Sequence, residues 1–355
     1  MAENNIAKSG FASKSAMDDS GFTYVTSHLN IGTSFGLSAL RDLMDNDPYM
    51  PGSEEELRQE LERVQKVKNF VEADGRKVGY IYIRVFHDMR DTTLPIERSS
   101  DSTLTMVELF RVKRLLLQMW RLRDIIRHED LPPEYVPDDV TEILDILDPQ
   151  GERKAGLYIY DEFSERLTAL RNKRNELRAE LRVWQNEQAE SVMNVFGVKM
   201  SPTFEISVMK ADHIMVSHLR ASGILKQVDR DSASALFVLE DSRDSAKIKS
   251  RIEKVEREIA DEEDAVRERL SREIWEHHKL LYSNCSKIGR LDLALAKAVF
   301  ARAHGCVKPE ITDEHRIMIE DGRNLMVDSV LKKQGREFKP VSLELEQGVT
   351  CITGT

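Results

Sequence analysis

The chain has 355 residues, enough for two or three domains with cores of their own. Charged residues make up 32% and aromatic residues only 6%, a mix that favours long solvated helices over a dense β-sandwich. A net charge of −10 excludes a large basic nucleic-acid surface but not a local one. The three cysteines, Cys285, Cys306 and Cys351, stand in no metal spacing and fit a reduced, cytoplasmic compartment.

The first residues are polar and lack the apolar core of a signal sequence, so residues 1–21 are expected to form a disordered tail. No apolar run reaches the ~18 residues of a membrane span, so no membrane partner is expected. A helical core is predicted over residues 22–160. Thr33 and Ser34 stand before apolar residues at helical spacing. Asp47-Pro48 and Pro51-Gly52 break that helix. Ser53 and Glu56 have the spacing of a capping box ahead of Leu57, Leu61, Val64 and Val67. Asp74-Gly75 marks a turn, Thr103 to Arg127 is strongly helical, and Pro132, Pro133 and Pro137 close the region.

A heptad-like stripe then runs through Leu167, Leu170, Leu177, Leu181 and Trp184, with Arg174 in the vacant register position. A second stripe runs through Ile248, Ile252, Val255, Ile259, Val266, Leu270 and Ile274. Dense charges of both signs surround each stripe, as on solvated faces. The two stripes predict an antiparallel helical arm, rising over residues 161–194 and returning over 241–305. From Asp161 to about Glu190 the rising helix would span roughly 45 Å at 1.5 Å per residue.

Between the stripes the period changes. Phe204 to Val208 alternates strictly, and Ile214-Met215-Val216 and Ala235 to Leu239 are apolar runs of strand length. Ser222-Gly223 and residues 229–234 read as turns, so a small β head is expected over 195–240. After the return helix, Leu291 to Ala298 is Ala-rich and tightly packing. Residues 306–355 hold strand-like Ile317-Met318-Ile319, a Gly322-Arg323 turn and the alternation of Val341 to Leu345. Gly348 to Thr355 reads as a strand running into the first glycine, Gly354, of a G-x-x-x-x-G-K-[ST] phosphate loop. That pattern stops before its lysine, so this chain is expected not to hydrolyse ATP.

Other tempting residues read more simply. Glu273 with His277 and His278 lacks a third ligand and fits a solvated helix face. His213 and His218 fit surface positions, and His304 with Cys306 fits a helix end. Trp184 and Trp275 lie on apolar stripes and read as core. No nucleophile–base arrangement has local context, so no independent catalytic residue is assigned.

Taken in order, these features resemble the MutS family of DNA mismatch-repair ATPases. The residues that carry the resemblance are Thr33-Ser34-Phe35-Gly36-Leu37, Leu291-Asp292 with Ala294, Ala296 and Lys297, Ile319-Glu320-Asp321-Gly322-Arg323, Phe338-Lys339-Pro340-Val341 and Ile352-Thr353-Gly354. Asp148-Pro149-Gln150-Gly151 and the segment through Arg171 look most like the shorter MutS-like paralogues. The resemblance implies a mainly α fold: a helical core, a lever arm, a β clamp at its tip and the first strands of a P-loop ATPase domain. For the complete protein it implies ATP and Mg²⁺ as cofactors, a homodimer, and double-stranded or branched DNA as partner. Phe338 would line the adenine pocket, and Gly354 and Thr355 would open the phosphate cradle.

Two departures stand out. Asn324-Leu325 replace the family's His-Pro, and too few residues precede the core for a mismatch-reading domain. If the clamp touches DNA, Lys199, Lys210, Arg220, Lys226 and Arg230 are its available phosphate contacts. Five acids in the same region balance them, which predicts weak binding without sequence preference. The alternatives are a coiled-coil scaffold without a clamp, and action on recombination intermediates or ribosomes. In hook-type scaffold ATPases the phosphate loop precedes the arm; here the arm comes first, which favours the MutS-like reading.

Overall fold

The computed structural model describes residues 14–46, 48–229 and 233–351. Helices α1 (Lys14–Asp19) and α2 (Phe22–Ser27) come first, so the expected tail is helical in its last part. In α3 (Ser34–Asp45) the Thr33 hydroxyl accepts the Gly36 N–H and closes the first turn. Three acids favoured by the helix dipole, Glu54, Glu55 and Glu56, open α4 (Glu54–Ala73). The capping box expected from Ser53 and Glu56 does not form. The Ser53 side chain makes no cap bond, and Glu54 instead reaches back to the Gly52 N–H at 2.9 Å.

Asp74 caps α5 (Gly75–Tyr80), which continues through a π turn (Ile81–Val85) and a 3₁₀ turn (Phe86–Asp88). Then come α6 (Thr93–Arg98), α7 (Met106–Ile126), α8 (Thr141–Leu147) and the long α9 (Glu165–Phe196). A reciprocal capping box between Thr105 and Glu108 starts α7. Strand β1 (Glu205–Met209), α10 (His213–Arg220), β2 (Leu225–Asp229) and β3 (Ser234–Leu239) follow. The chain continues through α11 (Arg243–Glu276), α12 (His278–His304), β4 (Ile317–Gly322), α13 (Leu325–Lys333) and β5 (Val341–Leu345). The fold is mainly α, with two small antiparallel sheets among the described residues, as the sequence led us to expect. No helix among the described residues is long and apolar enough to cross a membrane.

Contacts divide the chain into two units, one of residues up to Leu157 and from Ser271 onward, the other Tyr158–Leu270. In the first unit α12 is buried on every side from Leu291 to Ala296, and α7 from Leu115 to Met119. Small residues let α12 pack closely on α3 and α4. A Cβ on Gly289 would lie 2.5 Å from the Phe35 carbonyl oxygen, so only glycine fits that crossing. Helix α12 ends where Gly305 turns left-handed at φ 62° and the Cys306 N–H reaches back to Ala301, closing a Schellman motif.

The two-stranded sheet of β4 and β5 pairs Ile317 with Leu345 and Ile319 with Leu343, and its register shifts between Ile319 and Gly322. Asn324, at the departure from the family's His-Pro, accepts the Met326 and Val327 N–H groups and starts α13. That helix was not foreseen.

In the second unit α9 and α11 lie antiparallel. Arg171 pairs with Glu263, Arg178 with Glu256 and Glu180 with Arg251, so partner numbers fall as α9 advances. Within this unit every residue of the second stripe from Ile248 to Leu270 is buried, as are Leu167, Leu170 and Leu177 of the first. The three strands lie in the order β1-β3-β2. Their core face packs Ile206, Leu225, Ala235 and Phe237 against Val192 of α9 and Val216 and Leu219 of α10. The apolar run Ile214-Met215-Val216, expected as strand, is helical. Asp212 caps it through the Met215 N–H, and burial falls at Val216 and Leu219, three residues apart.

Candidate nucleic-acid interface

The five basic residues singled out in the head occupy different places. Lys199 is exposed in the link after α9. Lys226 is exposed on the outer face of the sheet, where the register sets it in one row with Val238 and Glu205. Arg220, in the last turn of α10, donates two bonds to Gln227, at 2.6 and 3.0 Å. Gln227 follows Lys226 on the strand and so points to the opposite face. Arg220 and Lys226 therefore serve opposite sides of the sheet. Lys210 is half-buried, with its backbone N–H on Ala233, and Arg230 lies outside the described residues. Among the described residues, Arg220 and Lys226 do not share a face of the sheet.

The outer face also carries Met209 and Val228 in exposed positions. Arg182, which the sequence did not single out, lies over the Phe204 ring at 4.3 Å and donates to the Pro202 carbonyl. That contact pins the turn before β1, and no local pattern announces it.

In the first unit the two motifs at Thr33 and Asp292 meet. The buried Asp292 carboxylate accepts the Gly32 N–H, the Thr33 N–H at 2.7 Å and the Thr33 hydroxyl at 2.7 Å. Burial raises its pKa, opposed by those same three donors. A Cβ at Gly36 would come within 2.3 Å of the carboxylate, so the glycine is a steric requirement of the clasp.

Beside this clasp, α3, α4 and α12 border a cleft of about 770 Å³ lined by Phe35, Tyr49, Arg63, Tyr135, Cys285 and Lys297. Four of its charges are engaged with one another: Arg63 pairs with Glu134 at 2.7 Å and Lys297 with Glu60 at 3.2 Å. Burial pushes the Cys285 thiol up to about 12, which leaves it an inert thiol at neutral pH.

Phe338 is half-buried just before β5, while Gly354 and Thr355 lie outside the described residues. Phe338 alone of that set can be placed, and it does not make up a nucleotide site. His277 uses its Nδ1 on the Glu273 backbone carbonyl, not on the carboxylate, and His278 bonds the Trp275 carbonyl while stacking on the Trp275 ring. His213 and His218 are exposed at the two ends of α10. The His304 ring leans on Phe300 at 4.3 Å. Trp184 is half-buried and Trp275 is 36% exposed, so Trp275 is less enclosed than a core position implies. Among the described residues no three His, Cys, Asp or Glu converge as a metal-holding group.

No protein-family model matches the chain. It is similar to the endonuclease MutS2 of Clostridium tetani, at 22% identity over 302 residues, which is 82% of this chain and 36% of that protein. A stretch of 48 residues is 46% identical to the endonuclease MutS2 of Acetivibrio thermocellus, 14% of this chain and 6% of that one. The chain spans about a third of the length of the curated relative it matches most fully.

Proposed function

We propose that this chain is the nucleic-acid-handling part of a MutS2-like protein, with a helical core, a lever arm and a β head that clamps double-stranded or branched DNA. The observation that carries the reading is the MutS2 similarity across 302 residues, 82% of this chain. The paired helices α9 and α11, with three strands between them in sequence, support the lever and clamp roles. The balance of charge in the head supports weak, sequence-independent contact with the phosphate backbone.

Homodimerisation, ATP and Mg²⁺ belong to the same proposal for the complete protein, with Phe338 lining the adenine pocket and Gly354 and Thr355 opening the phosphate cradle. No step is derived through the nucleotide. The relatives are named endonucleases; for this chain the proposal stops at binding.

The test is fluorescence anisotropy of a labelled duplex of about 30 base pairs and of a four-way junction, titrated with the 355-residue chain between about 50 and 200 mM salt. Weak binding that falls with salt and ignores sequence is expected. Failure to bind either DNA at the lowest salt would sink the proposal and leave a scaffold without a clamp.

A further inference from the structure

Between Arg76 and Arg127 the chain carries eleven Lys or Arg against six Asp or Glu, a local excess of base in a chain whose net charge is −10. The fold packs two of the segments that carry that excess against each other in the first unit. The π turn at Ile81–Val85 packs against α7, and the Arg114 guanidinium reaches Asp88 at 2.9 Å, tying the two segments together. Around that tie Arg84, His87 and Arg90 from one segment and Arg111 from the other are exposed. Among the described residues no carboxylate makes an ion pair with Arg84, Arg90 or Arg111, although the Glu108 carboxylate feels the Arg111 charge; Asp88 is held by Arg114 and His87, and Glu108 by Arg98. Asp91 is the remaining acid nearby in sequence, and it caps Thr93. Tyr80 and Ile83 stand exposed at 51% and 69% on the same turn.

We infer that this surface, centred on Arg84, Arg90 and Arg111, is a second nucleic-acid contact, separate from the head, that grips the phosphate backbone. The inference rests on the nucleic-acid reading above. Its cations are all arginine, whose fork of donors matches phosphate oxygens in a way a lysine does not. They are free to meet a ligand, unlike Arg63, Arg171 and Arg178, which are spent on carboxylates. The exposed Tyr80 ring and Ile83 side chain give sugars and bases an apolar face beside the charges. A π turn at this place fits a site, since such turns recur where a helix is adapted to function.

The experiment compares the 355-residue chain with R84A/R90A/R111A and with the head variant K199A/K226A. It uses the same duplex and a single-stranded oligonucleotide, with polyglutamate as a second probe. All three arginines are exposed, so the melting temperature should stay unchanged. Loss of three phosphate contacts should weaken binding at least tenfold at low salt and make the slope of log K against log salt shallower by about 3. The head variant, which lacks two candidate contacts of the clamp, should weaken binding separately and make the slope shallower by about 2. R84K/R90K/R111K should recover the salt slope and only part of the affinity.

Should the patch variant bind like the parent while the head variant loses binding, this inference fails and the clamp reading stands. Should the parent bind no nucleic acid, both fall together. Loss of polyglutamate binding with DNA binding intact would overturn the inference in favour of an acidic protein partner.

Discussion

The two units are held together by different means. The second unit depends on regularity: buried residues recur at heptad steps along α9 and α11, and charges on the flanks pair across the arm. The first unit depends on polar groups drawn from far apart in the chain. Asp292 receives the backbone of Gly32 and Thr33, and the buried Lys113 ammonium meets Asp148 at 2.9 Å and the Gly156 carbonyl at 2.8 Å. A periodic interface loses stability in small steps when altered. A buried polar clasp loses much at once, because each removed partner strands another group without water.

The sharpest break of this comparison is Lys113→Met. With both side chains of the pair almost fully buried, removing one should cost about 3–5 kcal/mol in urea unfolding. The double variant K113M/D148L should be more stable than K113M, since no uncompensated carboxylate then stays inside. A double variant that is the less stable of the two would show that the clasp works by shape instead of charge.

The two buried carboxylates should also respond oppositely to acid. Burial works to raise the pKa of Asp148. The Lys113 bond, the Arg153 N–H and both cations outweigh it and hold the group below the usual carboxylate range. Its contribution is therefore present above the unfolded value of about 4 and is lost as pH falls through the depressed pKa. Asp292, raised by burial, contributes most below about pH 4 and loses that contribution as pH rises through its folded pKa. Unfolding free energies measured across acid pH should show the deficit of D148N shrinking on acidification and that of D292N growing. Parallel curves for the two variants would contradict the assignment.

The smallest effect belongs to the arm. A double-mutant cycle on Arg178 and Glu256, which are exposed and 2.6 Å apart, should give a coupling below about 1 kcal/mol that fades with salt. A larger, salt-resistant coupling would place the arm in the same class as the clasp.

The same division explains what could be read from the sequence. The stripes of the arm were legible because helical packing repeats at a fixed spacing, Glu205–Met209 and Val341–Leu345 because strands alternate, and Ser234–Leu239 as an apolar run of strand length. The run at Ile214 misled because three apolar residues fit strand and helix equally; the discriminating feature was Asp212 standing before it. Thr33 and Asp292 are separated by 259 residues, and no local rule links them. Of the candidate sites, the head bases could be named but not placed, since their direction depends on strand register. The arginine surface of the first unit was hidden by averaging: a whole-chain charge conceals a segment of opposite sign.

Arg174, set where the apolar stripe of α9 skips a position, bears on how the two helices keep their alignment. Its Nε is buried without a partner, so its layer of the arm is a weak one. The ion pairs Arg171–Glu263 and Arg178–Glu256 stand seven residues apart on both helices. A slip of one heptad, about 10 Å, would set Arg178 against Glu263 and remake a bond, so these pairs alone do not fix the alignment. The interruptions do. Arg174 breaks one stripe, and Glu262 and Glu263 break the other between Ile259 and Val266. A slipped arm would drive each charged layer against apolar neighbours. The imperfection in the repeat thus acts as a detent that holds the two helices in one register.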